Sequence, residues 1–189
     1  MTESTFLSEF KQIIRRDNFV VLDTETTGLE SNAEVCQIAI LESDGTVLLD
    51  TLVKPVNGIP ADAEAIHHIS NQMVASAPRW ADVHPMVYDL LKGRDCIIYN
   101  AVYDRRILHQ SAEAAGLPKT NWKQEANIAC AMLAFAEVYG DWNSYRGNYK
   151  WQPLSTAARY YRLPVIDAHS ALGDCRMTLG VVKAMVAVK

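Results

Sequence analysis

The sequence predicts an α/β domain in which a mixed sheet is layered by helices. Three observations predict it. Apolar strand patterns cluster in the first half of the chain, and two of them flank the turn "SDG" at residues 43–45. Helical periodicity dominates the second half. Helical stretches also fall between strands, and helices laid on the faces of a sheet bury both kinds of apolar surface.

Each element follows from its own pattern. Phe6, Leu7, Phe10, Ile13 and Ile14 recur at helical spacing, so residues 1–17 read as an N-terminal helical extension. Residues 18–25, "NFVVLDTE", read as a strand ending at carboxylates, and residues 33–43 and 46–55 as two further strands, opening a meander. Residues 60–70 and 71–76 read as short helices around a loop. Residues 79–93 form an amphipathic helix closed by Gly93. "DCIIYN" at 95–100 is a short buried strand, and residues 101–117 are a helix closed at Gly116. Residues 125–140 turn from strand into helix. Residues 141–151, "DWNSYRGNYKW", read as a loop, and residues 153–163 and 170–188 as the last two helices.

Composition narrows the class. A chain of 189 residues, 49% hydrophobic and 21% charged, fits one globular domain spanning 1–189. No apolar run approaches the roughly 20 residues that span a bilayer, so no membrane association is expected. The first residues lack a basic segment followed by an apolar one, so no secretory leader is expected. The four cysteines, Cys36, Cys96, Cys130 and Cys175, form no CxxC pair. A disulfide framework or zinc site is not expected, and a reducing cytoplasm is the expected location. A net charge of −4 argues against coating nucleic acid by bulk positive charge but not against an enzyme acting on a strand end.

Four places carry acids or imidazole where a packed fold would not ordinarily put them. Asp23 and Glu25 are two apart on a strand, so both point to one face and disfavour each other's ionisation. Alone, the pair also reads as a strand end reaching solvent. Thr26, Thr27 and Gly28 follow at once, and Gly28 permits an unusual turn with accessible N–H groups. Asp104 lies one turn past Asn100, a candidate helix N-cap, and alone also reads as a first-turn acid or a partner of Arg105 or Arg106. His169 precedes a helix that Ser170 can start, and Asp174 sits one turn in. A surface-loop histidine is the plainer account of His169 by itself. Taken together, converging carboxylates demand hard divalent cations with oxygen ligands, Mg²⁺ or Mn²⁺. Two such ions about 3.5–4 Å apart suit in-line phosphoryl displacement, with a histidine as proton acceptor.

These motifs resemble the DnaQ-like DEDDh family of 3′–5′ exonucleases. "VVLDTETTGL", "IYNAVYDRRIL" and "HSALGDC" stand in the family's order, over about residues 18–188. "AIHHIS" at 65–70 resembles the family's Ile-His-Gly-Ile-Thr segment, with His68 where glycine is usual, and Tyr103 replaces a more usual Phe. The resemblance implies an RNase H-like fold with a mixed five-stranded sheet flanked by helices. It implies that Asp23, Glu25, Asp104 and Asp174 hold two Mg²⁺ or Mn²⁺ ions and that His169 is the general base. It implies hydrolysis of the last phosphodiester of single-stranded nucleic acid with a free 3′ end, DNA ahead of RNA, releasing nucleoside 5′-monophosphates. The backbone of residues 25–27 and Gly28 would meet the terminal nucleotide. Leu29 and Ile66 or His67 are candidates to pack on its base or sugar, and Asn100 and Tyr103 to line its site.

Other readings stand beside this one. A proofreading subunit bound to a DNA polymerase is not favoured, because the last helix runs to the final residue without a tail. An RNA-trimming enzyme is the other alternative. An RNase H-like endonuclease fits the mobile-histidine motif less well. Trp142, Tyr145, Tyr149 and Trp151, interleaved with Arg146 and Lys150, could stack on bases at about 1–3 kcal/mol each. They read equally as a loop folded on the core or as a homodimer contact.

Overall fold

The computed structural model describes residues 4–187. Residues 1–3, and the end of the expected last helix at Val188 with Lys189, lie outside the described residues. Helix α1 (Thr5–Arg15) is capped by Ser4, whose Oγ accepts from the Leu7 N–H, and it buries Leu7, Phe10 and Ile14. Strands β1 (Phe19–Thr26), β2 (Val35–Glu42) and β3 (Val47–Leu52) form the expected antiparallel meander. Gly45, at φ 93°, closes the turn between the last two and donates to Glu42 O at 2.9 Å.

Helices α2 (Ala61–His67) and α3 (Trp80–Leu91) then carry the chain to β4 (Asp95–Ile98), which pairs parallel to β1. Helix α4 (Ala101–Ala114), the short α5 (Trp122–Glu125), β5 (Asn127–Cys130) and α6 (Ala131–Tyr139) follow. A two-residue ribbon, β6 (Trp142–Asn143) with β7 (Asn148–Tyr149), precedes α7 (Leu154–Tyr160) and α8 (Ala171–Ala187). The main sheet runs β3-β2-β1-β4-β5, the mixed five-stranded sheet expected. Phe19, Val20, Val21 and Leu22 of the central strand are completely buried. Burial on that scale contributes about 1.5–3 kcal/mol per side chain. Helix α8 packs on β1 and β2, and its Cys175 thiol approaches Ala39 O at 3.4 Å.

Three details differ from expectation. Residues 71–76 form turns rather than a helix. Val74 alone among them is buried, and a helix that short needs a packed face to persist. The aromatic segment forms the β6–β7 ribbon, and α5 was not anticipated. All four cysteines are free and buried.

His68 closes α2 in the left-handed conformation at φ 60° with its side chain exposed. A non-glycine residue there costs about 1–2 kcal/mol. His68→Gly therefore raises the melting temperature by roughly 2–8 °C at about 2–4 °C per kcal/mol. Differential scanning calorimetry checks this, and no rise would mean that the imidazole compensates the strain.

Candidate active site

Strands β1 and β4 are parallel, so their C-terminal ends lie side by side. The acids gather there. Asp23 and Glu25 come from the end of β1, where the register slips between Glu25 and Thr26 as the strand breaks into the turn. Helix α8 brings Asp174 to the same face. Ser170 starts that helix as expected, its Oγ accepting from the Gly173 N–H at 3.1 Å. One oxygen each of Asp23, Glu25 and Asp174 lie within 4.8 Å of one another.

Asp104 comes from the other side. Thr24, between the two β1 acids, points to the opposite face of the strand, and its hydroxyl donates to Asp104 Oδ1 at 2.8 Å. Asp104 is buried and makes no ion pair with Arg105 or Arg106, so the first-turn pairing expected of it as one alternative does not form. It is absent from the three-acid group because α4 packs across β1 from α8. It is still close enough that its charge is the largest of the three that act on Asp23.

The electrostatics disfavour four ionised carboxylates side by side. Burial first, then the Asp104, Asp174 and Glu25 charges, push the Asp23 carboxyl well above the usual range. Burial, with Asp174 and Asp104, pushes Glu25 up to about 8. Burial also raises Asp104, against the lowering effect of the Thr24 hydroxyl, and raises Asp174, against the His169 N–H and imidazole. Asp174 Oδ1 is buried with no hydrogen-bond partner. A buried carboxylate oxygen without a donor, beside two further carboxylates, fits a hard divalent cation. His169 is exposed in the loop before α8 at φ 66°, next to Asp174.

A cleft of about 730 Å³ adjoins Glu25, lined among others by Gly28, Leu29, Ile66, Asn100 and Tyr103. Leu29 and Ile66 are exposed at it by 73% and 58%, the open apolar surface that a base or sugar would cover. Asn100 occupies the N-cap position of α4, but its side chain makes no capping bond and is exposed. The expected cap is thus backbone only. Gly28 adopts φ 147°, reserved for glycine.

Thr26, Thr27, His67 and Tyr103 line the same cleft and are also bonded within the protein. Tyr103 OH donates to Gly28 O at 2.8 Å and lies 2.6 Å from Thr26 Oγ1. Thr27 and Glu34 are bonded backbone to backbone and through the Thr27 hydroxyl, at 2.9 Å each. His67 is buried. Its Nδ1 accepts from the Ile69 N–H at 3.0 Å, which leaves Nε2–H to donate to Thr26 O at 3.2 Å. These groups support the turn, and burial holds the His67 imidazole below its usual range.

Residues that the sequence did not single out complete the frame. Glu34 is buried and accepts from the N–H groups of Val56 and Asn57 and from the Asn57 side chain. Arg106 and Gln110 donate to the carbonyls of Leu29 and Glu30. Thr24 had a signal, its place between two acids, but which partner it meets depends on α4. Thr24→Val removes the donor to a buried carboxylate. It is expected to lower divalent-metal affinity about 10–100-fold, measured by metal-dependent activity titration; an unchanged half-saturating concentration would remove Thr24 from the site. The aromatic ribbon lies against α6 through β7, with Trp142, Tyr145 and Trp151 exposed and Trp142 meeting Tyr149 edge-on at 5.0 Å.

A family model described as Exonuclease (RNase_T) matches residues 20–182. A protein of Escherichia phage 186 named uncharacterized exonuclease CP81 is 42% identical over 188 residues, covering 98% of this chain and 96% of its own. Exodeoxyribonuclease 10 of Escherichia coli K12 is 34% identical over 160 residues, which is 84% of this chain and 64% of that protein. Among solved structures, exonuclease X in complex with 5′ overhanging duplex DNA superposes with a TM-score of 0.67 at 25% identity, over 90% of this chain and 92% of that one.

Proposed function

The chain belongs to the DnaQ-like exonuclease family, with its RNase H-like fold, and from that premise we propose a metal-dependent 3′–5′ exonuclease that shortens single-stranded DNA ends. The observation that carries it is the meeting of Asp23, Glu25 and Asp174 within 4.8 Å, with Asp174 Oδ1 unpartnered, beside a cleft of nucleotide size. Asp23 stands between two sets of charge, Glu25 with Asp174 on one side and Asp104 on the other, which favours two ions rather than one.

The residues divide the work. Asp23, Glu25 and Asp174 would hold one cation, and Asp23 with Asp104 a second. When bound, Mg²⁺ or Mn²⁺ lowers the pKa of the attacking water and neutralises charge on the phosphoryl oxygens. The turn at residues 25–28 and the open faces of Leu29 and Ile66 orient the terminal nucleotide, so that only a strand end fits. The water proton passes to the His169 imidazole as the new O–P bond forms. The bond from phosphorus to the 3′ oxygen of the penultimate nucleotide breaks, that oxygen takes a proton from solvent and leaves as the 3′-hydroxyl of the shortened strand, and a nucleoside 5′-monophosphate is released. The likeness to an exodeoxyribonuclease supports DNA ahead of RNA. No described helix is long and apolar enough to cross a membrane, and a cytoplasmic place of action accords with the substrate.

A panel of 5′-labelled single-stranded DNA, duplex DNA, single-stranded RNA and dinucleotides, followed over time with Mg²⁺ or Mn²⁺, tests this. A ladder shortening from the 3′ end, stopped by EDTA and blocked by a 3′-phosphate, is the expected result. Cutting of a circular strand, or removal of the 5′ label first, would overturn it.

A further inference from the structure

The loop that carries His169 joins α7 to α8 over residues 161–170. Arg162, Asp167 and His169 in it adopt left-handed backbone, at φ 56°, 51° and 66°. Residues other than glycine rarely take that conformation, and it persists where the surroundings over-determine it. Apolar packing does not supply that hold. Val165 and Ile166 are exposed, and a cavity of about 380 Å³ separates Leu163, Pro164 and Ile166 of the loop from Arg176 and Met177 of α8.

The loop instead meets α8 at Gly173 and Gly180, which share one face of the helix. At Gly180 the neighbour is a side chain, with Leu163 Cδ1 standing 3.1 Å from where a Cβ would be. At Gly173 the neighbour is backbone. A Cβ there would collide with the Asp167 carbonyl oxygen and would stand 2.8 Å from its carbon and 2.8 Å from Ser170 Oγ. The same carbonyl oxygen accepts from the Ser170 N–H at 3.1 Å and from the Ser170 hydroxyl at 2.9 Å, while Ser170 Oγ accepts from the Gly173 N–H at 3.1 Å. Asp167, Ser170 and Gly173 thus make a clasp that closes only over a bare Cα, and His169 lies inside it. The helix side of the clasp is fixed. Ala171 and Cys175 are completely buried, the Ala171 N–H donates to Gln37 Oε1 of β2 at 3.2 Å, and the Cys175 thiol donates to Ala39 O at 3.4 Å. A side chain at residue 173 would therefore displace the loop, and His169 with it, while Asp174 keeps its place on the helix.

We propose that Gly173 is a positioning residue for strand hydrolysis: its missing side chain lets the Asp167 carbonyl seat on α8, and that seat sets where His169 stands to take the proton of the attacking water. The proposal rests on the exonuclease reading with His169 as the base and deepens it. A misplacement of about 1 Å in a reacting group can cost about 10²-fold in rate, so the clasp acts on turnover without touching substrate or metal.

The test compares Gly173→Ala with the parent, each with and without His169→Ala, by kcat and KM on a 5′-labelled single strand and by Mn²⁺ binding followed calorimetrically. Gly173→Ala is expected to lower kcat by about 10²-fold, with KM and Mn²⁺ affinity at the parent values. In the His169→Ala background it is expected to lower kcat no further, because the group it positions is gone. Gly180→Ala, the same change on the same face, keeps the parent kcat. Ser170→Ala opens the clasp without adding a collision and is expected to show the same dependence on His169, so the proposal stays testable should Gly173→Ala not fold. An equal loss in both backgrounds, or a loss of Mn²⁺ affinity, would place the effect on Asp174 and overturn the proposal. So would an unchanged kcat in Gly173→Ala, or an equal loss in Gly180→Ala. A parent protein that does not shorten the strand from its 3′ end, or a His169→Ala variant at the parent rate, would defeat the exonuclease reading itself and the proposal with it.

Discussion

Asp174→Asn is expected to slow strand hydrolysis by about 10³-fold or more while raising the melting temperature of the metal-free protein. Loss of an outer partner of a metal ligand typically costs 10–100-fold, and loss of a ligand itself costs more. The gain in stability has a separate cause. Asp174 adds charge beside Asp23 and Glu25, and its Oδ1 is buried without a partner. Removing that charge relieves an uncompensated group of a kind that costs about 1–3 kcal/mol. In a chain of this size that is roughly 2–12 °C. Kinetics on a 5′-labelled strand and calorimetry in EDTA check the two halves together. Full activity would remove Asp174 from the site, and a fall in melting temperature would show the carboxylate to be structural.

Without divalent metal, stability is expected to fall as pH rises from about 4.5 to about 8. Glu25 is pushed from 4.5 up to about 8 in the fold, and Asp23, Asp104 and Asp174 are raised with it. A carboxyl with a raised folded pKa keeps its proton in the native state after the unfolded chain has released it. The native state then binds more protons, so its advantage is complete below the unfolded pKa and declines until the folded pKa is passed. Bound divalent ions replace those protons and flatten the profile. At a concentration about 100 times the dissociation constant, metal adds about 2.7 kcal/mol, or roughly 5–11 °C at the scaling for this length. Melting curves at successive pH values, with EDTA and with Mn²⁺, measure both effects. A flat profile in EDTA would mean that the acids do not share one site.

The chemistry of the site was legible because its residues are local in sequence. Asp23 and Glu25 announce themselves by spacing on a strand, and His169 and Asp174 by flanking a helix start. The folded details were less legible where long-range packing decides. Nothing near Thr24 shows that its hydroxyl meets a carboxylate 80 residues away. Nothing near His67 shows that its ring supports Thr26 from 41 residues away. Residues 71–76 look helical by composition, and the turns that form there follow from how little of that stretch is buried.

The sequence by itself pointed to the class of chemistry and to the acids proposed to carry it, and it marked the five strands of the main sheet and most of the helices, because periodicity and side-chain type act over a few residues. Only the tertiary structure decided that α8 and α4 approach β1 from opposite faces. That arrangement sets three acids together and one across the strand, and it turns Thr26, Thr27, His67 and Tyr103 into supports for the turn. Which polar group meets which is fixed by the packing of distant elements, and no local pattern encodes it.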